Sequence, residues 1–244
     1  MDFELFGMNP LAGKRSILVR STNWVGDAVM SLPALQELRR ALPAARISVL
    51  ARPWVSPIFE WERVADRVLL YPVGRGEWRK TALALRAERF DAALLLQNAF
   101  EAALVAFWAR IPVRCGYARD GRRWLLTHAV AVPRAEEVPE HECYYYLELL
   151  RRLEVLGQLP RVSEIRLSQP PPAEAGRARL AQFGVAGLAS APLVGMSPGA
   201  AFGAAKRWPA SRFAAVGRAL GTDGARIVLF GSNWERARAE AIVA

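Results

Sequence analysis

The stretch Ser16-Ile17-Leu18-Val19-Arg20-Ser21-Thr22-Asn23-Trp24-Val25-Gly26-Asp27 decides the fold class of this 244-residue chain. The apolar run from Ser16 to Arg20 predicts a buried strand, and helical spacing of apolar residues follows from Asp27 to Leu42. The same alternation of strand and helix continues along the chain, as in parallel strands joined by crossover helices. We therefore predict an α/β fold whose parallel sheet is covered by helices on both faces.

Four more strands and four more helices complete the first predicted domain. Pro33 should kink the first helix or lie near a local helix start, because proline offers no N–H group. Residues 119–133 show no regular pattern. The predicted strands are 46–51, 67–71, 91–97 (ending at Asn98) and 114–117, and the predicted helices are 54–61, 78–89, 100–109 and 140–156.

A proline run at residues 170–172 predicts a stiff connector between two domains. After it we predict a helix at 173–183, strands at 192–196 and 226–230, and helices at 211–220 and from 234. Two strands and three helices are too few for a covered parallel sheet. The predicted organisation is a leader at 1–14, an N-terminal domain at 15–168, a hinge and linking helix at 169–190, and an incomplete second domain at 191–244.

The composition excludes several classes of protein. A net charge of +10 favours anionic partners, but the basic residues are dispersed and lack interleaved stacking aromatics, so we expect no nucleic-acid partner. No apolar run is long enough to span a membrane and the first residues are acidic, which predicts a cytoplasmic protein. Cys115 and Cys143 are too far apart for a C-x-x-C site and are expected to be core thiols.

Asp27 is the first candidate for chemistry. It follows the carboxyl end of the first strand, where open α/β sheets bind ligands. The helix dipole should favour its ionised form, which suits a general base, although capping the helix is the commoner role of an aspartate at such a position. Gly26 would allow a sharp turn or the close approach of a sugar. Trp24 could pack on a sugar face or close the bottom of the core.

The loop at residues 197–209 is the second candidate. Its small residues, including Gly199, lie between a strand and a helix, so its backbone N–H groups and the helix dipole could hold a phosphate. Lys206, one of three lysines in the chain, would add a positive charge. The turn Gly231-Ser232 follows the next strand and could hold a nucleotide phosphate or cap the next helix. The loop at 197–209 could also be an ordinary connection between strand and helix.

Other catalytic motifs are missing from the sequence. It lacks a G-x-G-x-x-G turn after the first strand, a G-x-x-x-x-G-K-[ST] loop and a G-x-S-x-G elbow, so nicotinamide chemistry and triad hydrolysis lose support. His141 and Cys143 are better explained as a helix-start feature than as metal ligands. The tyrosines at 144–146 fit helix packing better than a stacking platform. Arg119, Arg122 and Arg123 could meet phosphates or form a solvated basic loop.

Three segments together resemble the lipopolysaccharide heptosyltransferase II family, within glycosyltransferase family 9. They are residues 20–27 (RSTNWVGD), 198–209 (PGAAFGAAKRWP) and 228–232 (VLFGS). The type I heptosyltransferases are the nearest alternative. The resemblance implies a GT-B-like enzyme with two Rossmann-like domains, the first binding the acceptor and the second the nucleotide sugar. It also implies inverting transfer of heptose from ADP-heptose to the inner core of lipopolysaccharide.

The same resemblance implies roles for individual residues. Asp27 would be the general base that takes the proton of the acceptor hydroxyl, and Lys206 would bind the donor diphosphate, with Gly199, Gly231 and Ser232 nearby. Asn23, Trp24 and Gly26 would shape the acceptor pocket. No metal or cofactor is implied, and the protein would work in the cytoplasm, in peripheral contact with the inner membrane surface.

The sequence also departs from the family. Family members continue beyond the position of Ala244 with a D-S-G turn and a histidine that bind ADP, so we expect a truncated chain with a half-built donor site. Ala201 stands where relatives often carry an acidic or hydroxyl residue. Two other functions stay open, namely another two-domain sugar-nucleotide enzyme such as an epimerase, and a non-catalytic fragment that binds anionic glycolipid.

Overall fold

A computed structural model of the chain describes residues 9–167, 173–184, 192–200 and 204–243. The chain divides into two compact units, unit 1 at Met1–Pro170 and unit 2 at Pro171–Ala244. Most of the expected leader, the proline connector at 170–172 and the departure at Ala201 lie outside the described residues.

Unit 1 is built on a six-stranded parallel sheet, which confirms the predicted α/β class. The strand order is β3-β2-β1-β4-β5-β6, and each neighbouring pair runs parallel. The strands are β1 (Ser16–Arg20), β2 (Arg46–Ala51), β3 (Arg67–Leu70), β4 (Ala92–Leu95), β5 (Val113–Tyr117) and β6 (His128–Val130). The helices are α1 (Val25–Ala41), α2 (Ser56–Glu62), α3 (Glu77–Glu88), α4 (Phe100–Trp108) and α5 (Cys143–Arg152).

The helices cover both faces of this sheet. In β1, the side chains of Ile17 and Val19 pack toward α1, α2 and α5, while that of Leu18 packs toward α3 and α4. Both faces of the strand are therefore buried, as the apolar run predicted. Cys115 and Cys143 are buried free thiols, in agreement with the sequence.

Unit 1 differs from the prediction at three elements. The sequence does not predict β6, because it has three residues and only Val130 is fully buried. The helix predicted at 140–156 is shorter, since His141 Nδ1 accepts the Cys143 N–H at its start and Glu154 adopts a left-handed conformation after its end. Helix α1 begins two residues before Asp27 and continues through the buried Pro33, which is not a local start.

Unit 2 contains two paired parallel strands and three helices among its described residues. Strand β7 (Leu193–Met196) pairs with β8 (Arg226–Leu229). The helices are α6 (Ala173–Gln182), α7 (Ala210–Thr222) and α8 (Arg236–Val243), and α8 begins after a 3₁₀ turn at Asn233–Glu235 rather than at 234. No helix in the described parts of either unit combines the length and apolarity needed to cross a bilayer.

Candidate functional site

A cleft of about 410 Å³ opens at the carboxyl ends of β1, β4 and β5. Strands β1 and β4 are neighbours in the sheet, but α1 leaves toward one face and α4 toward the other. Such a reversal leaves the strand ends uncovered, and open α/β sheets bind ligands there. We call this cleft the crevice. Its lining includes Thr22, Trp24, Asp27, Asn98, Arg119, Glu142, Tyr145 and Tyr146.

Asp27 lies in the crevice, in the first turn of α1. The residue at the N-cap position is Trp24, whose side chain makes no capping hydrogen bond, so the capping interpretation of Asp27 is wrong. Partial burial raises the pKa of the Asp27 carboxyl above its ordinary value. The sequence predicted that the helix dipole would favour the ionised form, but burial acts in the opposite direction.

Glu142 is a second acid in the crevice, and no sequence pattern pointed to it. Burial and the nearby charge of Asp27 raise the pKa of Glu142, while Arg119 opposes this. The pKa of the Tyr146 phenol is also raised, first by burial and then by Asp27 and Glu142. Because like charges in a partly buried site disfavour each other, the crevice holds protons more tightly than isolated carboxylates would.

Thr22 lines the crevice and carries a buried hydroxyl. The residue is almost fully buried, and its Oγ1 has no hydrogen-bond partner among the described residues. An unpaired buried hydroxyl is rare and costly, and a bound water, ion or ligand can complete its hydrogen bonding. The sequence could have pointed to Thr22, since it stands in the quoted turn two residues after β1.

A buried arginine organises one wall of the crevice. Arg122 donates hydrogen bonds to the carbonyl oxygens of Tyr117 and Gln97 and to Asn98 Oδ1, and burial lowers its pKa to about 10. Asn98 in turn donates to Tyr145 Oη at 2.8 Å. Arg122 is therefore neither a phosphate ligand nor part of a solvated loop, in contrast to the exposed Arg119 and Arg123.

The tyrosines at 144–146 have different roles. Tyr145 and Tyr146 line the crevice, and the rings of Tyr145 and Tyr117 have their centroids 4.6 Å apart. Tyr144 Oη accepts a hydrogen bond from the N–H of Val162. Helix packing accounts for Tyr144, whereas Tyr145 and Tyr146 also belong to the site.

A second buried arginine, Arg20, forms hydrogen bonds with the turn after β1. Arg20 donates to the carbonyl of Ser21 at 2.6 Å and to Asn23 Oδ1 at 2.8 Å. Burial lowers the pKa of Arg20 to about 10, with nearby Arg52 acting in the same direction, and its guanidinium lies over the ring of Tyr71.

These contacts change the roles predicted for the acceptor-pocket residues. Asn23 is not among the residues that line the crevice, because its amide oxygen is bound by Arg20 and its carbonyl by the Trp54 indole N–H. Gly26 is a helical residue with open space around it, so the sharp-turn role does not apply. Trp24 lines the crevice and is half exposed, which excludes a place in the core.

In unit 2, the two glycine turns after β7 and β8 meet at one side chain. A Cβ atom on Gly199 would lie 1.5 Å from Glu235 Oε1, and one on Gly231 would lie 3.4 Å from Glu235 Oε2. The Ser232 N–H and hydroxyl both donate to Glu235 Oε2. In this arrangement Ser232 caps the next helix, while phosphate binding by Gly199, Gly231 and Ser232 stays a prediction.

Lys206 lies on an exposed 3₁₀ turn, four residues before the first residue of α7. The ring of Trp208 packs edge-on against Phe213 at 5.2 Å, which holds the end of the loop on the helix. Residues 201–203 lie outside the described residues. Asp27 and Lys206 belong to different units.

The crevice is a better candidate for a functional site than two other clefts in the described part of unit 1. A second cleft of about 380 Å³ lies between α1 and residues 160–166, and a third of about 300 Å³ lies between β3 and α3. Neither lies at the carboxyl end of β1 or β4. No group of three or more potential metal-ligating side chains occurs in the parts of the chain that the structure describes.

Comparison with known proteins points to sugar transfer. Residues 78–244 match the model of glycosyltransferase family 9 (heptosyltransferase). The lipopolysaccharide heptosyltransferases 2 of Salmonella typhimurium and Escherichia coli are each 32% identical over 225 residues, which cover 88% of this chain and 63% of the relative. The chain thus spans less than two thirds of the length of these relatives.

Solved structures give the same picture. The E. coli ADP-heptose LPS heptosyltransferase II superposes with a TM-score of 0.74 at 30% identity, covering 93% of this chain and 68% of the other. A family 9 glycosyltransferase from Veillonella parvula also has a TM-score of 0.74, covering 94% of this chain and 66% of the other, but at 21% identity it shows the fold alone.

The Gly116→Ala variant tests the arginine wall of the crevice. The added Cβ would lie 3.1 Å from Arg122 Nη2 and 3.3 Å from the backbone oxygen of Leu95. The free energy of unfolding, measured in urea, should therefore fall by about 1–3 kcal/mol. Gly157→Ala is the matched control, because its Cβ would meet nothing within 4 Å. Equal stability of both variants would contradict the tight packing around Arg122.

Proposed function

Because the chain belongs to glycosyltransferase family 9 (heptosyltransferase), we propose that it transfers heptose from ADP-heptose to the inner-core heptose of lipopolysaccharide, with inversion. The observation that carries the proposal is the position of Asp27, whose partly buried carboxyl has a raised pKa and lies in the crevice at the carboxyl ends of β1 and β4. The names of the relatives support the reaction, since they include lipopolysaccharide heptosyltransferase 2 and an ADP-heptose LPS heptosyltransferase II.

In this proposal Asp27 acts as the general base. The acceptor hydroxyl binds in the crevice within hydrogen-bond reach of the carboxylate, which takes its proton as the oxygen attacks the anomeric carbon of the donor. A raised pKa makes the carboxylate a stronger proton acceptor once it is ionised. Inversion follows from a single displacement, in which the diphosphate leaves from the face opposite the attacking oxygen.

Three further crevice residues would orient the acceptor. The Thr22 hydroxyl has unused hydrogen-bonding capacity and lies on the same turn as Asp27. The Tyr145 hydroxyl is fixed by Asn98, so it can meet a sugar without losing side-chain entropy on binding. Trp24, exposed at the rim, offers an apolar surface to a sugar ring.

The donor diphosphate would bind at unit 2. The positive charge of Lys206 and the N-terminal end of α7 stabilise the negative charge that builds on the departing diphosphate. The backbone at Gly199 and Gly231 allows close approach, and Glu235 would have to release Ser232 if a phosphate took its place. The proposed chemistry uses no metal or organic cofactor.

We place the reaction in the cytoplasm, at the surface of the inner membrane where a lipid-linked acceptor is available. A type I heptosyltransferase would use a different acceptor. Assays with a heptose-bearing core and with a heptose-free core therefore separate the two types. ADP release without transfer to either acceptor would contradict the proposal and favour another sugar-nucleotide enzyme, and glycolipid binding without turnover would favour a binding protein.

Asp27→Asn should abolish transfer without destabilising the fold. The Asp27 pKa is raised in the folded state, so its ionised form costs stability as the pH rises from about 3.8 through the raised value, and asparagine removes that cost. We expect an unchanged or higher Tm at neutral pH and a rate at least about a hundredfold lower. In the parent protein kcat/KM should fall as the pH drops through the raised pKa.

Glu136→Gln is the control for this variant, because Glu136 is an exposed acid outside the crevice. A Tm loss in Asp27→Asn with transfer retained would show that the carboxylate is structural and would remove it from the mechanism.

Thr22→Val tests the unpaired hydroxyl. Removing a buried hydroxyl without a protein partner should leave the stability unchanged or raise it. The KM for the acceptor should rise about three- to tenfold if the hydroxyl binds it, with little change in the KM for ADP-heptose. Thr81→Val on α3, outside the crevice, should change neither constant. An unchanged acceptor KM in Thr22→Val would exclude this contact.

Lys206→Ala should lower transfer by on the order of a hundredfold and raise the KM for ADP-heptose, with the acceptor KM unaffected. The side chain is exposed, so the melting temperature should not change. Lys80→Ala, which removes another exposed lysine, serves as the control. Equal activities of the two lysine variants would contradict a donor-binding role for Lys206.

A further inference from the structure

Helix α4 carries exposed aromatic residues on its outward face. Its inner residues, Ala102, Ala103, Val105 and Ala106, are buried against the sheet. On the opposite side, Phe100, Phe107 and Trp108 follow helical spacing and remain 38%, 43% and 52% exposed. A surface helix normally carries polar residues there. The one charged residue of α4, Glu101, is bound by Tyr71 and Arg52.

The exposed aromatic rings form one continuous surface with the neighbouring segments. Trp124, which is 67% exposed, contacts both Phe100 and Phe107 with ring centroids 6.0 and 6.4 Å apart. On the other side of α4, Trp108 packs edge-on against Trp78 of α3 at 5.5 Å. We call these five residues, Trp78, Phe100, Phe107, Trp108 and Trp124, the aromatic band.

Arginines surround the aromatic band. Arg79 lies over the ring of Trp78 and Arg114 over that of Phe107, at 5.1 and 5.4 Å from the ring centroids. Arg110 and Arg123 are exposed at the end of α4 and beside Trp124. None of these four forms an ion pair with a carboxylate within the described residues. The surface therefore combines tryptophan and phenylalanine with uncompensated positive charge.

From this combination we infer that the aromatic band is the face through which the protein binds an anionic lipid bilayer. Tryptophan prefers the boundary between headgroups and acyl chains, and each arginine near an anionic surface adds attraction. Charge complementarity favours lipid over a second copy of this chain, because two such faces would bring like-charged arginines together.

The aromatic band adjoins the crevice, so bilayer binding would bring the crevice close to the membrane surface. Phe100 directly follows Ala99, which lines the crevice, and the segment that carries Trp124 begins with the crevice residues Arg119 and Asp120. A bilayer against the band would therefore hold a lipid-linked sugar close to Asp27. This rests on the proposed function for the identity of the sugar, whereas lipid binding itself is independent of it.

Vesicle sedimentation tests the inference without donor or acceptor. The protein should sediment with phosphatidylcholine vesicles that contain phosphatidylglycerol, more weakly with pure phosphatidylcholine, and less as the salt concentration rises. The W108S/W124S double variant should bind at least about tenfold more weakly. Trp61→Ser is the matched control, because Trp61 is also exposed but lies on α2, outside the band.

The R110Q/R123Q double variant provides a second route that changes only exposed side chains. Neutralising each arginine should weaken binding about fivefold, so we expect a loss of about 25-fold relative to the parent protein, with an unchanged Tm. Arg63→Gln, an exposed arginine next to α2, should bind like the parent.

Three outcomes would overturn the inference. They are parent protein that does not bind anionic vesicles, band variants that bind as tightly as Trp61→Ser, and light scattering in which the parent is an oligomer that W108S/W124S dissociates without lipid. The last result would make the band a contact between copies of the chain. Heptose transfer to a soluble core acceptor would be unaffected by any of them, so the two proposals fail separately.

Discussion

The reversal between β1 and β4 is the constraint on which the described site depends. Two hydrogen-bonded parallel strands end side by side, and the helices that follow them leave toward opposite faces of the sheet. Neither helix can then cover the strand ends, so backbone and side-chain groups of both turns stay accessible. Thr22 and Asp27 from one turn and Asn98 from the other share a crevice for this reason.

Two buried guanidinium groups stabilise the turns at this reversal. Arg20 binds the turn after β1, and Arg122 joins the ends of β4 and β5 through carbonyl and amide oxygens. Burial lowers the pKa of both, so each charge costs desolvation energy that its hydrogen bonds must offset. Their contacts are mainly to neutral oxygens. Neither guanidinium offsets the burial that raises the pKa of the Asp27 and Glu142 carboxyls.

The sequence predicted the fold class and part of the candidate site. It could not predict the residues that only tertiary packing brings to the crevice. A parallel strand buried on both faces is a continuous apolar run, so the local sequence pattern predicts β1, β2 and β4. Asp27 is visible because it follows such a strand. Glu142 and Tyr145 are not, since they reach the crevice only because α5 packs against α1, and no local pattern reports that packing. Arg122 looks like any arginine of a basic loop until its burial is known.

The charge of the crevice also bears on which substrate each unit can bind. Asp27, Glu142 and Asp120 outnumber Arg119 in its lining, and the raised pKa values show that the site already disfavours negative charge. A diphosphate placed there would meet carboxylates at short range in a partly desolvated site, which is strongly unfavourable. A sugar hydroxyl carries no charge and can donate its proton to the same carboxylates. In the proposed reaction, the acidic crevice of unit 1 would therefore take the acceptor hydroxyl, and the lysine-bearing loop of unit 2 would take the donor phosphates. In the proposed mechanism this separation would also keep Asp27 available as the base, because an anionic ligand next to it would raise its pKa further and leave less of it ionised at neutral pH.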